Sequence, residues 1–180
     1  MKTILKFKTD KPKAEVVQAT KDYFLSQGFK LESSTPDSLT FRRGSTLQNM
    51  FTYNPLKWKS LTDIEIKGPE VNVLCNVTPT SQAVTTKEEK LWENFILNYQ
   101  QALISNFNYH SINNKLLRET QSDSRKYVKY ALIGGVIAGV PAGFIAHYTG
   151  IDAIVGIAAA GGGFYYMRHQ IEKDKKKKAI

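Results

Sequence analysis

The sequence predicts an α+β protein in two parts. A two-layer domain with an antiparallel sheet, one short and one long helix comes first, and a two-helix transmembrane hairpin follows it. Three observations carry this reading. Apolar and polar residues alternate in short runs up to residue 78, as half-buried strands do. Helical spacing of apolar residues appears twice, briefly around residues 16–24 and for more than three turns over 91–103. Two glycine-rich apolar runs, 130–148 and 153–167, then stand back to back without a formal charge. With 42% hydrophobic and 23% charged residues, the 180-residue chain is not a disordered one. Its single cysteine, Cys75, excludes an internal disulfide framework and any multi-cysteine zinc site.

Thr3, Leu5 and Phe7 alternate with Ile4, Lys6 and Lys8 and read as the first strand. Those lysines interrupt the opening stretch too early for the apolar core of a signal peptide. Asp10 and Pro12 open a helix with Val16, Val17, Thr20, Tyr23 and Phe24 on one face, and Gly28 closes it. Phe29 and Leu31 begin a second strand, and Pro36-Asp37-Ser38 turns into a third around Leu39 and Phe41. Thr62, Ile64 and Ile66 mark one further strand. After the turn Gly68-Pro69, Val71, Val73, Cys75 and Val77 mark the next. That parity turns Cys75 inward, as an inert core thiol.

Thr86-Lys87-Glu88-Glu89 reads as a capping box opening the long helix, whose inner face is Leu91, Trp92, Phe95, Ile96, Tyr99, Ala102 and Leu103. Residues 1–106 therefore make a cytoplasmic α+β domain large enough for its own core. The order of its elements is similar to that of small helix-grip, ligand-binding domains, in which a long final helix crosses a curved sheet. That likeness is one of fold alone.

One connection in the domain is unusually aromatic. Residues 46–60 read TLQNMFTYNPLKWKS, preceded by Arg42-Arg43-Gly44-Ser45. Phe51, Tyr53 and Trp58 with Arg42 and Arg43 are the candidate contacts to a ligand or to the membrane surface. The segment reads first as a further strand or short helix completing the core, and otherwise as a lid over an apolar pocket or a loop at the membrane surface. The arginine pair reads first as a solvated strand end, and otherwise suits an anionic headgroup or another phosphate.

Residues 107–126, rich in Asn, Ser and charge, read as a polar tether, helical in part through the weak pattern of Ile112, Leu116 and Leu117. Residues 127–170 form the hairpin, and 171–180 a basic cytoplasmic tail. At 1.5 Å per residue the two apolar runs span roughly 28 and 22 Å, against a hydrocarbon core of about 30 Å. Arg125, Lys126 and Lys129 precede the first run, and Arg168, Lys173 and Lys175 to Lys178 follow the second, while the turn carries only Asp152. The positive-inside rule puts both termini in the cytoplasm. The expected location is thus integral and multi-pass, in a bacterial cytoplasmic membrane. In a eukaryote, Lys177 and Lys178 would resemble a dilysine retrieval signal.

Gly135, Gly139 and Gly143 recur every four residues on one helix face, and Gly156, Ala160 and Gly163 make a comparable face on the second. The spacing resembles the glycine-zipper pattern of many bacterial membrane proteins. It implies close helix packing within the hairpin and self-association through the face left over.

No motif suggests catalysis. The three histidines, His110, His147 and His169, all lie outside residues 1–106, and none has a partner at metal-ligand spacing. No GxSxG, Walker A or dinucleotide fingerprint occurs. The domain carries 14 basic and 11 acidic residues, too even a balance for nucleic acid. The expectation is a non-enzymatic, membrane-anchored protein without cofactor. Its expected partners are membrane lipid, further copies of itself, and for the domain a protein or a small apolar ligand. A tethered lipid or apolar-ligand carrier is the alternative.

Overall fold

The computed structural model describes residues 1–52, 54–80, 84–105 and 109–178, with the backbone alone described at 50, 51, 122–124 and 178. The chain divides into two compact units, Met1–Thr120 and Gln121–Ile180.

The first unit is α+β. Its elements run β1 (Lys2–Lys8), α1 (Lys13–Ser26), β2 (Lys30–Ser34), β3 (Ser38–Arg43), α2 (Thr46–Phe51), a 3-10 turn (Pro55–Lys57), β4 (Lys59–Lys67), β5 (Glu70–Thr78) and α3 (Thr86–Ser105). The first turns of α4 (Tyr109–Thr149) complete it. The five strands form one sheet in the order β1-β5-β4-β3-β2, antiparallel throughout. β1 and β2 follow each other in sequence yet lie at opposite edges, so α1 has to traverse the sheet between them. It packs there beside α3.

Strict alternation sets the buried face. Ser60, Thr62, Ile64 and Ile66 of β4 are buried, as are Val71, Val73, Cys75 and Val77 of β5. Between these strands Gly68 takes φ +60° at the first position of a two-residue turn, where a side chain is disfavoured. The helices answer with aromatic rings: Tyr23 lies 5.2 Å from Phe95, and Phe24 stacks on Phe41 at 4.8 Å. Trp58, Trp92, Tyr23, Tyr99, Phe24 and Phe95 are among the largest fully buried side chains. The Thr62 hydroxyl donates to Cys75 Sγ at 3.3 Å, and burial pushes that thiol up to about 11. Cys75 is therefore a packed, unreactive group at neutral pH.

Two local expectations shift. The capping box sits one residue earlier than Thr86. Glu88 carboxylate accepts from Thr85 N–H at 2.7 Å, and Thr85 Oγ1 accepts from Glu88 N–H at 3.3 Å. The run Thr85-Thr86-Lys87-Glu88-Glu89 holds both registers, and both Thr85 and Glu88 are buried in the one used. In addition, the stretch read as a partly helical tether is helix from Tyr109, and its residues 109–120 belong to the first unit instead of linking it to the second. Tyr109 packs on Tyr23 at 4.5 Å, and Leu116 and Leu117 lie against the core. Asn113 is 2% exposed. It accepts from Asn98 Nδ2 at 2.7 Å and donates to Tyr23 Oη at 3.1 Å. Burial raises the Tyr23 phenol above the ordinary tyrosine range, so it stays a neutral hydrogen-bonding group.

The second unit holds the remainder of α4 and α5 (Ala153–Lys178), joined at Gly150, whose φ is +72°. Pro141 lies inside α4 without ending it. The sequence reading expects two membrane-length helices. Among the described residues only α4 is long and apolar enough to cross a membrane, with a mean hydropathy of 1.6 over its most apolar 18 residues. α5 falls short because Arg168-His169-Gln170 follows its apolar run directly.

Candidate functional sites: a basic cleft and a glycine-lined hairpin

The first candidate site lies where β2 and β3 end. Adjacent strand residues point to opposite faces of a sheet, so the pleat separates the two expected arginines. Arg42 points away from the helices and pairs with Glu32 at 3.2 Å, an exposed contact worth little by itself. Arg43 follows the inward parity of Leu39 and Phe41. Its guanidinium rests over the Phe29 ring, 5.5 Å from the centroid, and is half-buried. Burial lowers its pKa to about 10, which leaves it fully charged at neutral pH.

Two glycines bring the rest of the site together. Gly44 has φ +67°, and a Cβ there would stand 2.3 Å from the Lys57 carbonyl oxygen, so only glycine permits this approach. That contact carries the 3-10 turn, and Lys57 with it, to the end of β3. Gly28 has φ +81° and ends α1 with Gly28 N–H donating to Leu25 O and Phe29 N–H to Phe24 O. A Cβ on Gly28 would lie 3.4 Å from Arg43 Nη2. The result is an open cleft of about 520 Å³ lined by Lys30, Arg42, Arg43 and Lys57 together with Glu32 and Ser45. Lys30 and Lys57 are functional candidates that the sequence reading missed. They stand 13 and 14 positions from Arg43, and only the strand register and the Gly44 approach join them.

Among the described residues the aromatic segment is core in part, and Leu47 is 68% exposed. Leu56 and Trp58 are buried, Trp58 at 2% exposure, so Trp58 makes no surface contact in this structure. Ser45 caps α2 by accepting from Gln48 N–H at 3.1 Å, and Asn54 caps the 3-10 turn. Asn49, also buried, ties the segment to the sheet by donating to Thr78 O at 2.7 Å. Tyr53 and the side chain of Phe51 lie outside the described residues.

The second candidate site is the pairing of α4 with α5. A Cβ on Gly134 would meet Gly162 O at 2.5 Å, and one on Gly163 would meet Ala131 O at 2.5 Å. A Cβ on Gly162 would meet Ala138 Cβ at 2.3 Å. These three glycines are the seam. Of the six residues expected to pack helices, Gly163 is in the seam, and Gly135 and Gly139 border it near Ala159. A Cβ on Gly143 or Gly156 would meet nothing within 4 Å, and Ala160 is exposed. Gly135, Gly139 and Gly143 instead floor an open apolar groove of about 880 Å³, with walls including Leu132, Val136 and Phe144. Past the apolar stretch, Asp174 accepts from Lys126 Nζ at 2.9 Å and from Tyr127 Oη at 2.7 Å, contacts that hold its carboxyl below the ordinary range.

Among the described residues, no three His, Cys, Asp or Glu side chains come together as a metal site. No protein-family model matches the chain, and no curated protein is significantly similar to it. Function has to be read from the side chains themselves.

Proposed function

We propose that the protein is a non-enzymatic membrane-anchored binding protein, in which α4 and α5 form a two-span hairpin and the α+β unit works in the cytoplasm. The observation that carries this is the surface of the hairpin. Gly134, Gly162 and Gly163 form its seam, while Leu132, Ile137, Phe144 and Ile157 are all more than 60% exposed. Large apolar side chains facing outward around a helix pair suit hydrocarbon, whereas a soluble helix pair turns them inward. The seam also bears on α5. Gly134 against Gly162 and Gly139 against Ala159 set the apolar run of α5 alongside that of α4, so a bilayer that takes one takes both. Tyr127 and Tyr166 stand toward the basic ends, and Tyr148 at the turn, as interfacial rings do.

Within this reading, the groove over Gly135, Gly139 and Gly143 is the face for self-association. Lipid supplies no hydrophobic drive between helices, so a close-fitting small-residue surface is what helix contact needs. Alkaline carbonate washing tests the anchor. The full-length chain should stay in the membrane pellet, and a version ending at Thr120 should be soluble with native circular dichroism. Release of the full-length chain by carbonate would overturn the reading.

A further inference from the structure

The geometry points to the cleft between β2, β3 and the 3-10 turn as a binding site for a phosphomonoester, with Arg43 as its central ligand. This names the ligand class of the binding unit proposed above and rests on that part of the reading alone.

Arg43 is a guanidinium taken half out of water without a counter-charge. Among the described residues it has no carboxylate and no hydrogen-bond acceptor; its partner is the Phe29 ring. A buried arginine normally has its donors matched, because an unmatched charge is costly to desolvate. Arg42, one residue away, is paired with Glu32. The contrast leaves Arg43 with its donor fork unsatisfied beside an open cleft. Phe29 holds the plane of that fork, and Gly28 keeps the space next to Nη2 free of a Cβ.

The surrounding charge selects the ligand. Lys30 and Lys57 line the same cleft, and among the described residues neither is ion-paired. A carboxylate, with one charge and two oxygens, would be matched by Arg43 and leave both lysines idle. A phosphomonoester carries nearly two charges and three oxygens, enough for the fork and two point charges. The volume of about 520 Å³ holds such a group with part of its carrier. Glu32 stands at the rim and repels an anion, but its charge is met by Arg42.

The same chemistry occurs in a soluble metabolite and in a lipid headgroup, and the assay separates them. Full-length protein in neutral detergent is titrated calorimetrically with glycerol 1-phosphate. It is titrated in parallel with micelles doped with phosphatidic acid or, at equal molar fraction, phosphatidylglycerol. Binding of glycerol 1-phosphate marks a soluble ligand, and binding of phosphatidic acid alone marks a lipid; either supports the site. Phosphatidylglycerol, a phosphodiester with one charge, should bind about tenfold more weakly, the loss of one charged hydrogen bond. Arg43→Gln should weaken the bound probe by about tenfold or more, and Arg43→Lys, which keeps charge but loses the fork, by a similar factor. Lys6→Gln, at an exposed lysine of β1 on the sheet edge opposite the cleft, should change it by less than about threefold, as a screened exposed charge does. If Arg43→Gln fails to fold, Lys57→Gln replaces it, since Lys57 is exposed, and should cost about threefold or more. Wild-type affinity in folded Arg43→Gln, or in Lys57→Gln where that stands in, overturns the proposal. So does the absence of binding to both phosphomonoester probes. The assay needs no bilayer, so its failure leaves the anchor standing, and carbonate release of the chain leaves the cleft standing.

Discussion

Asn113→Ala removes the polar centre that docks the start of α4 on the α+β unit. Asn113 is 2% exposed and makes two good hydrogen bonds, at 2.7 Å from Asn98 and 3.1 Å to Tyr23, plus a long one to Gln27 at 3.4 Å. A typical intramolecular hydrogen bond is worth a net ~0.5–1.5 kcal/mol, so the two good ones together contribute about 2 kcal/mol. The orphaning penalty stays small on both sides. Tyr23 keeps its own donor bond to Phe95 O at 2.6 Å, and Asn98 is half-exposed and can turn to water. With the small void left by the amide, the loss should be about 2–3 kcal/mol. For about 120 residues this lowers Tm by about 8–12 °C. The assay is urea unfolding of residues 1–120 followed by tryptophan fluorescence, since Trp58 and Trp92 are both buried in this unit. Asn114→Ala, at an exposed neighbour, should stay within about 0.5 kcal/mol of wild type. Equal midpoints for the two variants would show that residues 109–120 are a tether after all.

Four further outcomes follow from the same geometry. Thr85→Ala removes the Oγ1 arm of the capping box, while the residue-85 N–H still donates to Glu88, and should cost about 1 kcal/mol in the same urea assay, whereas Thr86→Ala should cost under about 0.5 kcal/mol. Gly162→Val drives a side chain into Ala138 and should open the hairpin, seen as lost cross-linking between cysteines placed at Tyr130 and Tyr166, whose rings lie 6.1 Å apart. Gly143→Leu meets nothing in the hairpin and fills only the groove, so it should leave that cross-link intact and reduce oligomeric size in detergent. Cys75, with its thiol at about 11 and no exposure, should resist maleimide at pH 7 in the folded chain and react once urea unfolds it.

The strands were legible wherever every second residue is apolar, as in β4 and β5, because burial on one face leaves that alternation in the sequence. The inner face of α3 was legible for the same reason, at helical period. Its cap was displaced by one because two adjacent threonines each precede a glutamate by three, and packing of Trp92 and Phe95 selects between them. A weak helical pattern at Ile112, Leu116 and Leu117 was visible at the start of α4, but its docking on the core was hidden. A buried asparagine looks like a loop residue until the tyrosine it meets, 90 positions earlier, is known. The cleft was half legible: the arginine pair is visible, but Lys30 and Lys57 join it through strand pairing and a positive-φ glycine. The glycine faces show a similar limit. Spacing of four defines a stripe, but neighbouring residues on a helix stand about 100° apart, so Gly134 or Gly135 serves equally well until the partner is placed.

The central claim is a hairpin that crosses the membrane twice, with the basic ends of α4 and α5 on one side. Native Cys75 is buried, so single added cysteines report position cleanly. Ile151→Cys at the turn and Lys176→Cys in the tail should be probed in sealed cells with a membrane-impermeant maleimide. The account predicts labelling of Ile151→Cys from outside, and of Lys176→Cys only after permeabilisation. Labelling of both positions from the same side would contradict it.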